Sequence, residues 1–250
     1  MRPDVSSAGR SALDGYRQEV RRRRRSLLRC GAALVFGAGL GWAASRAAGS
    51  AREVAGGCAL GLLLAAVFLR PAPDPERWLR GAAGEEATAR LLERLSDRSR
   101  GWTVLHDLAV PGSRANIDHL VIGPSGAWVI DTKTTRGYVE RGLFGALSLG
   151  GRRLDTGPVR FEARVVADRL GVRVRPLVVI HGAGLPRRGA RFGGVKVVAG
   201  GDVVGWLRRG WWWRWTGWRR TGRLEVLRLT RLAESIFPPA GCVGRSGGGR

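Results

Sequence analysis

Hydrophobic and polar positions divide the chain into unlike parts. Residues 1–29 are polar and close on Arg21, Arg22, Arg23, Arg24, Arg25 and Arg29. Two apolar runs follow, residues 30–45 and 54–69, separated by a loop holding Arg46, Arg52 and Glu53. Both runs are rich in Gly, Ala and Leu on every side, so neither helix would have a polar face to turn to water. Each run is about 16 residues, or roughly 24 Å as a helix, against about 30 Å of hydrocarbon. Flanking residues bring both near membrane-spanning length if Arg29 and Arg52 extend toward headgroups. The pattern predicts a transmembrane helical hairpin over 30–69. Arginines crowd its outer ends, Arg21 to Arg25 before it and Arg70, Arg77 and Arg80 after it. The positive-inside bias then puts both termini in the cytoplasm. Gly37, Gly39, Gly41, Gly57 and Gly61 would let the two helices approach closely, and a second copy of the hairpin as well, which points to a homo-oligomer.

Pro71, Pro73 and Pro75 make residues 70–80 a stiff linker. From 81 to 208 the periodicity is that of an α/β domain. Ala87, Leu91, Leu92 and Leu95 share a helical spacing over 85–96, with Gly84 ahead of them. Strands are predicted at 102–110, 117–122 and 127–131, the last two joined by Gly123-Pro124-Ser125-Gly126. Residues 150–154 are expected to close a small hairpin with 137–141. A helix follows at 160–170, strands at 174–180 and 195–198, and a short helix at 202–207. Residues 209–223 form a Trp/Arg-rich segment. The final part, 224–250, is a helix over 224–236 stopped by Pro238-Pro239, then a Gly-rich tail. Helix, three-strand meander, helix and strand give an α/β core.

Composition adds a formal charge of +23, from 43 Lys+Arg against 20 Asp+Glu, nearly all of the cations being arginine. Such a surplus suits phosphodiester backbones and anionic headgroups. A GC-rich coding bias toward Arg, Ala and Gly produces the same surplus without selection for binding. Cys30, Cys58 and Cys242 show no CxxC spacing, which argues against a disulfide framework or a structural zinc site.

Chemistry concentrates between Asn116 and Lys133. A hairpin through the Gly-Pro-Ser-Gly turn sets Asp118 near the start of one strand and Asp131 near the end of the next, so their carboxylates converge. Asp131 and Lys133, two apart on one strand, point to the same face. Two carboxylates and an ammonium on one face are a phosphodiesterase arrangement. The carboxylates suit a hard cation such as Mg²⁺ or Mn²⁺, and the lysine can orient water or neutralise developing charge. A solvated Asp–Lys pair is the plainer reading of the same spacing.

Gly84-Glu85 opening a helix, the strand from Trp102 through Leu108, Asn116-Ile117-Asp118-His119, Gly123-Pro124-x-Gly126 and Asp131-x-Lys133-x-x-x-Gly137 together resemble the nuclease-related domain. This is a branch of the PD-(D/E)xK nuclease superfamily. The resemblance covers roughly residues 81–199. It implies a restriction-endonuclease-like α/β core behind the hairpin, with Glu85, Asp118 and Asp131 as metal ligands and Lys133 beside them as a catalytic residue. The family's usual residue at position 131 is glutamate, and aspartate draws the carboxylate back by one methylene.

Glu162 on the following helix is a further candidate to face the site, and Arg160 and Arg164 read as solvated arginines ahead of phosphate contacts. Glu86 reads as a solvated neighbour, and His106, His119 and His181 as packed core histidines. Trp211-Trp212-Trp213-Arg214-Trp215-Thr216-Gly217-Trp218 suits the membrane interface ahead of unpaired bases. Three functions fit. One is a metal-dependent nuclease at the membrane face, acting on DNA ahead of RNA. Another is a membrane-bound module that binds nucleic acid or protein without turnover. The third is a structural membrane protein whose soluble domain recruits partners. No helicase, kinase or zinc-finger motif accompanies the domain.

Overall fold

A computed structural model describes residues 8–48, 52–68, 76–96, 101–135, 139–141, 147–149, 151–185, 189–209 and 221–240. The Pro-rich residues 71–75, Gly137, the Trp-rich segment and the Gly-rich tail lie outside them. The chain forms two units, Asp14–Trp78 and the remainder.

The first unit is built from α1 (Arg10–Ala48) and α2 (Arg52–Phe68). Helix α1 is continuous over 39 residues, so the polar, basic stretch ahead of the first apolar run is helical from Arg10. Residues 16–30 hold neither glycine nor proline and are rich in arginine, a good helix former. The helix is long and apolar enough to cross a membrane, whereas the apolar part of α2, Val54–Val67, is shorter. The two helices run antiparallel and meet at glycines. A Cβ on Gly37 would lie 2.5 Å from Gly61 Cα, and one on Gly57 would run into Gly41. Gly39, expected at the same contact, faces open space. Cys30 Sγ donates to the Ala65 carbonyl at 3.4 Å, also across the pair. Val35, Phe36, Trp42, Leu62 and Leu63 are exposed on the outer faces.

The second unit is a mixed α/β domain. Helix α3 (Glu76–Glu93) leads into β1 (Thr103–Ala109), β2 (Asn116–Gly123) and β3 (Gly126–Thr134). A small sheet follows, made of β4 (Val139–Arg141), β5 (Leu147–Leu149) and β6 (Arg152–Arg153). Next come α4 (Gly157–Leu170), β7 (Val174–His181), β8 (Ala190–Phe192), β9 (Val195–Ala199), α5 (Val203–Arg209) and α6 (Arg223–Ile236). The main sheet runs β1-β2-β3-β7-β9-β8. The β1-β2-β3 meander is antiparallel, β7 pairs with β3 and β9 in parallel, and β8 is antiparallel to β9. Strand β3 is thus the seam between the antiparallel and parallel halves.

Alternation along the strands feeds two cores. Leu120, Ile122, Val129, Val178 and Ile180 pack with Val159 and Val166 of α4 and with Leu229 of α6. Val121, Trp128, Ile130, Leu177 and Val179 pack with Leu92, Val203 and Leu207 on the opposite face. Helices on both faces of one sheet make the layered arrangement that the pattern predicts.

Three details differ from the expected elements. Helix α3 begins at Glu76, so Gly84 lies inside it. The interior glycine is a packing requirement, because a Cβ there would run into the Thr134 hydroxyl of β3. In the small sheet β4 pairs with β5 and β5 with β6, so 137–141 and 150–154 do not pair directly. Leu147 anchors the intervening strand by burying its side chain in the core. Finally, β8 and β9 form an unexpected hairpin across Gly193-Gly194, both at positive φ (55° and 79°).

Candidate functional site

The register of β2 and β3 pairs His119 with Ile130, so Asp118 and Asp131 occupy the next facing positions. The hairpin read from the Gly-Pro-Ser-Gly turn therefore does bring these two carboxylates together. The Thr132 backbone N–H donates to Asp118 Oδ2 at 2.8 Å. Lys133 Nζ donates to Asp131 Oδ1 at 2.6 Å. The Asp131 side chain is 11% exposed and that of Lys133 39%, so this is a sheltered pair rather than a solvated one.

Glu85 joins them from α3, where Gly84 lets the helix settle onto Thr132 and Thr134. Burial, then Asp107 and Asp131, push the Glu85 carboxyl up to about 7, against the opposing pull of Lys133 and the Gly9 backbone N–H. Asp118 is raised well above the usual carboxylate range by burial and by Asp131 and Glu85. Asp131 is raised by burial despite Lys133. Burial disfavours the Lys133 ammonium, but Asp131, Asp118 and Glu162 outweigh it and raise its pKa. All four residues named from the sequence thus belong to one electrostatic cluster.

Two further carboxylates enter it. Glu162 is 6% exposed on α4, and burial and Asp131 push it up to about 7. It shares the inward face of α4 with Val159, Ala163 and Val166, where the helical spacing leaves no water-facing position. Arg160 and Arg164 stand exposed on the other side of that helix. Asp107 was not apparent in the sequence. It is 2% exposed on β1 and adopts φ 49°, a left-handed conformation that aspartate tolerates better than most residues. A strand pattern gives no sign of such a local kink. Glu86 is exposed and paired with Arg90.

The histidines lie on the other face of the sheet. His119 is fully buried and its pKa is driven well down by burial, then by His106 and His181. Its Nδ1 lies 2.8 Å from His106 Nδ1 and its Nε2 lies 3.3 Å from Thr132 Oγ1. His181 is half-buried, with Nε2 2.7 Å from Thr88 Oγ1.

Carboxylates outnumber the one ammonium among them, and each of Glu85, Asp118, Asp131 and Glu162 is pushed toward its neutral form. A divalent cation relieves that kind of repulsion, so the donor set has the chemistry for one. Among the described residues no three His, Cys, Asp or Glu side chains already close around a common point. The Lys133 ammonium and the Thr132 N–H instead engage Asp131 and Asp118.

Comparison with known proteins bears on this same stretch. An uncharacterized protein of Bacillus anthracis is 36% identical over 66 residues, which are 25% of this chain and 30% of that protein. The chain thus spans less than a third of the length of that relative. No solved structure matches. Residues 80–157, which carry Glu85, Asp118, Asp131 and Lys133, match the nuclease-related domain family.

Proposed function

We propose that the α/β domain is a divalent-metal-dependent nuclease of the PD-(D/E)xK type, tethered to the membrane by the α1–α2 hairpin. The observation that carries this is the Lys133–Asp131 pair on β3, facing Asp118 on β2 with Glu85 brought in from α3. The match of residues 80–157 to the nuclease-related domain supports it.

Asp118, Asp131 and Glu85 would hold the cation, Mg²⁺ or Mn²⁺. When bound, it would polarise a phosphoryl oxygen and lower the pKa of a coordinated water. Lys133, beside Asp131, would keep a positive charge next to the scissile phosphate. Glu162, sheltered beside Lys133, would hold the ammonium on the phosphate side. The excess of arginine would draw the polyanion to the domain, with DNA as the first substrate to try.

The tether reading rests on the length and apolar character of α1 and on the glycine-lined contact with α2. Both termini would be cytoplasmic, by the arginine asymmetry. The Trp-rich residues 211–218 would touch the bilayer interface, and a second hairpin could pack on the first.

The test is full-length protein in detergent with Mg²⁺ or Mn²⁺, offered single- and double-stranded DNA and RNA. Asp118→Ala and Asp131→Ala should lose metal binding and cleavage together, since a single carboxylate is a poor site for Mg²⁺. A wild-type chain that binds neither cation and leaves all four substrates intact would overturn the nuclease reading. The domain would then be the non-catalytic binding module that the same fold allows.

A further inference from the structure

The motif strand β3 carries a residue between its two charged members whose side chain has no part in the chemistry above. Thr132 projects to the opposite face of the sheet from Asp131 and Lys133, as strand alternation requires. There it is 9% exposed, and its Oγ1 donates to Thr88 Oγ1 at 3.1 Å. Thr88 is fully buried on α3, three residues beyond Glu85 and so one turn along the same side of the helix. This hydroxyl pair is a direct polar link between the helix that supplies Glu85 and the strand that supplies Asp131 and Lys133. The Thr132 backbone N–H simultaneously holds Asp118 Oδ2, so one residue touches the supports of the whole site.

Both ends of the link are closed by histidine. Thr88 Oγ1 lies 2.7 Å from His181 Nε2, and Thr132 Oγ1 lies 3.3 Å from His119 Nε2, whose Nδ1 meets His106 Nδ1 at 2.8 Å. Each hydroxyl has one proton to give. With Thr132 giving its proton to Thr88, His119 donates from Nε2 to Thr132. The His119 Nδ1 is then bare and accepts from His106 Nδ1–H. Thr88, having accepted, donates to His181 Nε2. The same contacts are satisfied with every donor reversed, and in either sense each link is used once and His119 is held in one tautomer.

We propose that Thr88 and Thr132 are positioning residues, which peg α3 to β3 through this histidine-capped thread and so hold Glu85 in register with Asp131 and Lys133. The proposal rests on the reading of these residues as one metal-holding site. Gly84 contributes by letting the helix come close enough for the hydroxyls to meet, since a Cβ there would lie 3.4 Å from Thr132 Cγ2 and strike the Thr134 hydroxyl. Helix packing alone tolerates small slides, whereas two directional hydrogen bonds on a buried hydroxyl do not.

The test uses full-length protein in detergent, with Mn²⁺ as the probe and its affinity read from the free-ion paramagnetic resonance signal. Thr88→Val and Thr132→Val keep the volume and remove the hydroxyl, and Thr88→Ser and Thr132→Ser restore it. The valine variants should bind Mn²⁺ about 10- to 100-fold more weakly, as expected for losing the outer support of a metal ligand. The serine variants should bind as wild type does. Valine variants that fold and bind Mn²⁺ normally would overturn the proposal, as would serine variants that lose as much as valine.

Nitrogen resonances of the histidine rings give a readout independent of metal. In the wild-type chain His119 should hold a single tautomer, and Thr132→Val should shift its ring resonances. A His119 ring that averages between tautomers would overturn the thread whether or not the valine variants fold. A wild-type chain that shows the fixed tautomer but binds no Mn²⁺ would remove the metal reading above, and the positioning role with it, while leaving the hydrogen-bond thread in place.

Discussion

Lys133 Nζ lies 2.6 Å from Asp131 Oδ1, two residues away on the same face of β3, and the aspartate side chain is nearly shut off from solvent. A buried carboxylate with an ammonium beside it is a pair in which each charge compensates the other. Removing one partner leaves the other uncompensated, so each change at this pair has a distinct signature.

Lys133→Ala should leave Mn²⁺ binding in place, because the carboxylates remain. Cleavage should fall by about 10²-fold or more, typical of losing one transition-state charge partner. Lys133→Arg should not restore it, since the planar guanidinium fork cannot take the place of a compact ammonium. Parallel metal titration and cleavage assays check this, and a Lys133→Ala chain that cleaves at the wild-type rate would exclude the role given to the lysine.

The carboxyls of Glu85 and Glu162 are both raised to about 7 from 4.5, by burial first and neighbouring carboxylates second. Each holds its proton more tightly in the folded chain than in the unfolded one. Stability from these groups is therefore gained as pH falls from 7 toward 4.5 and lost as pH rises through 7. Melting in chelator should show higher midpoints at mildly acidic pH than at mildly alkaline pH. The Glu85→Gln/Glu162→Gln double variant should flatten that slope. An unchanged slope would mean that neither carboxyl is held in the neutral form.

Gly84→Ala tests the approach of α3 to the sheet. Alanine is the better helix former, so an unconstrained site would gain about 1 kcal/mol. Here the added methyl meets Thr134, and overpacking of this kind costs about 1–3 kcal/mol. The variant should melt lower than wild type and bind Mn²⁺ more weakly, since Glu85 is the next residue. A higher melting temperature would show that the helix is free to move away.

The topology prediction concerns the membrane alone. Reporter fusions at Gly49 and just after Pro75 should fall in opposite compartments, the second in the cytoplasm. Both fusions in one compartment would rule out a spanning hairpin.

Much of the site was legible because it lies on a local hairpin. The Gly-Pro-Ser-Gly turn fixes which residues of β2 and β3 face one another, so Asp118 and Asp131 could be paired from spacing alone. The lysine carries another signal in retrospect: it is one of only two, Lys133 and Lys196, among 43 basic residues. Arginine stands almost everywhere else that a cation does, so a lysine in the motif stands out from the composition. The Gly193-Gly194 turn was equally readable as a hairpin, and the short Ala190–Phe192 strand ahead of it hid the signal. Asp107 was beyond reach, because an alternating strand pattern carries no mark of a single residue at φ 49°. The start of α3 at Glu76 was obscured by Gly84, whose place inside a helix makes sense only once Thr134 is seen beside it.

The position of β3 at the seam of the sheet also sets an order of assembly. Its pairing with β2 closes across the two residues Pro124 and Ser125, a contact cheap in chain entropy. Its pairing with β7 must wait for the small sheet and α4 to be threaded between them, which is slow for a parallel partner. Asp118 and Asp131 therefore meet early in folding, before α4 has delivered Glu162 and before β7 has sealed the far side of the strand. During that interval the carboxylate pair is open to water, and the burial that raises both carboxyls in the finished fold is completed only as these later elements arrive.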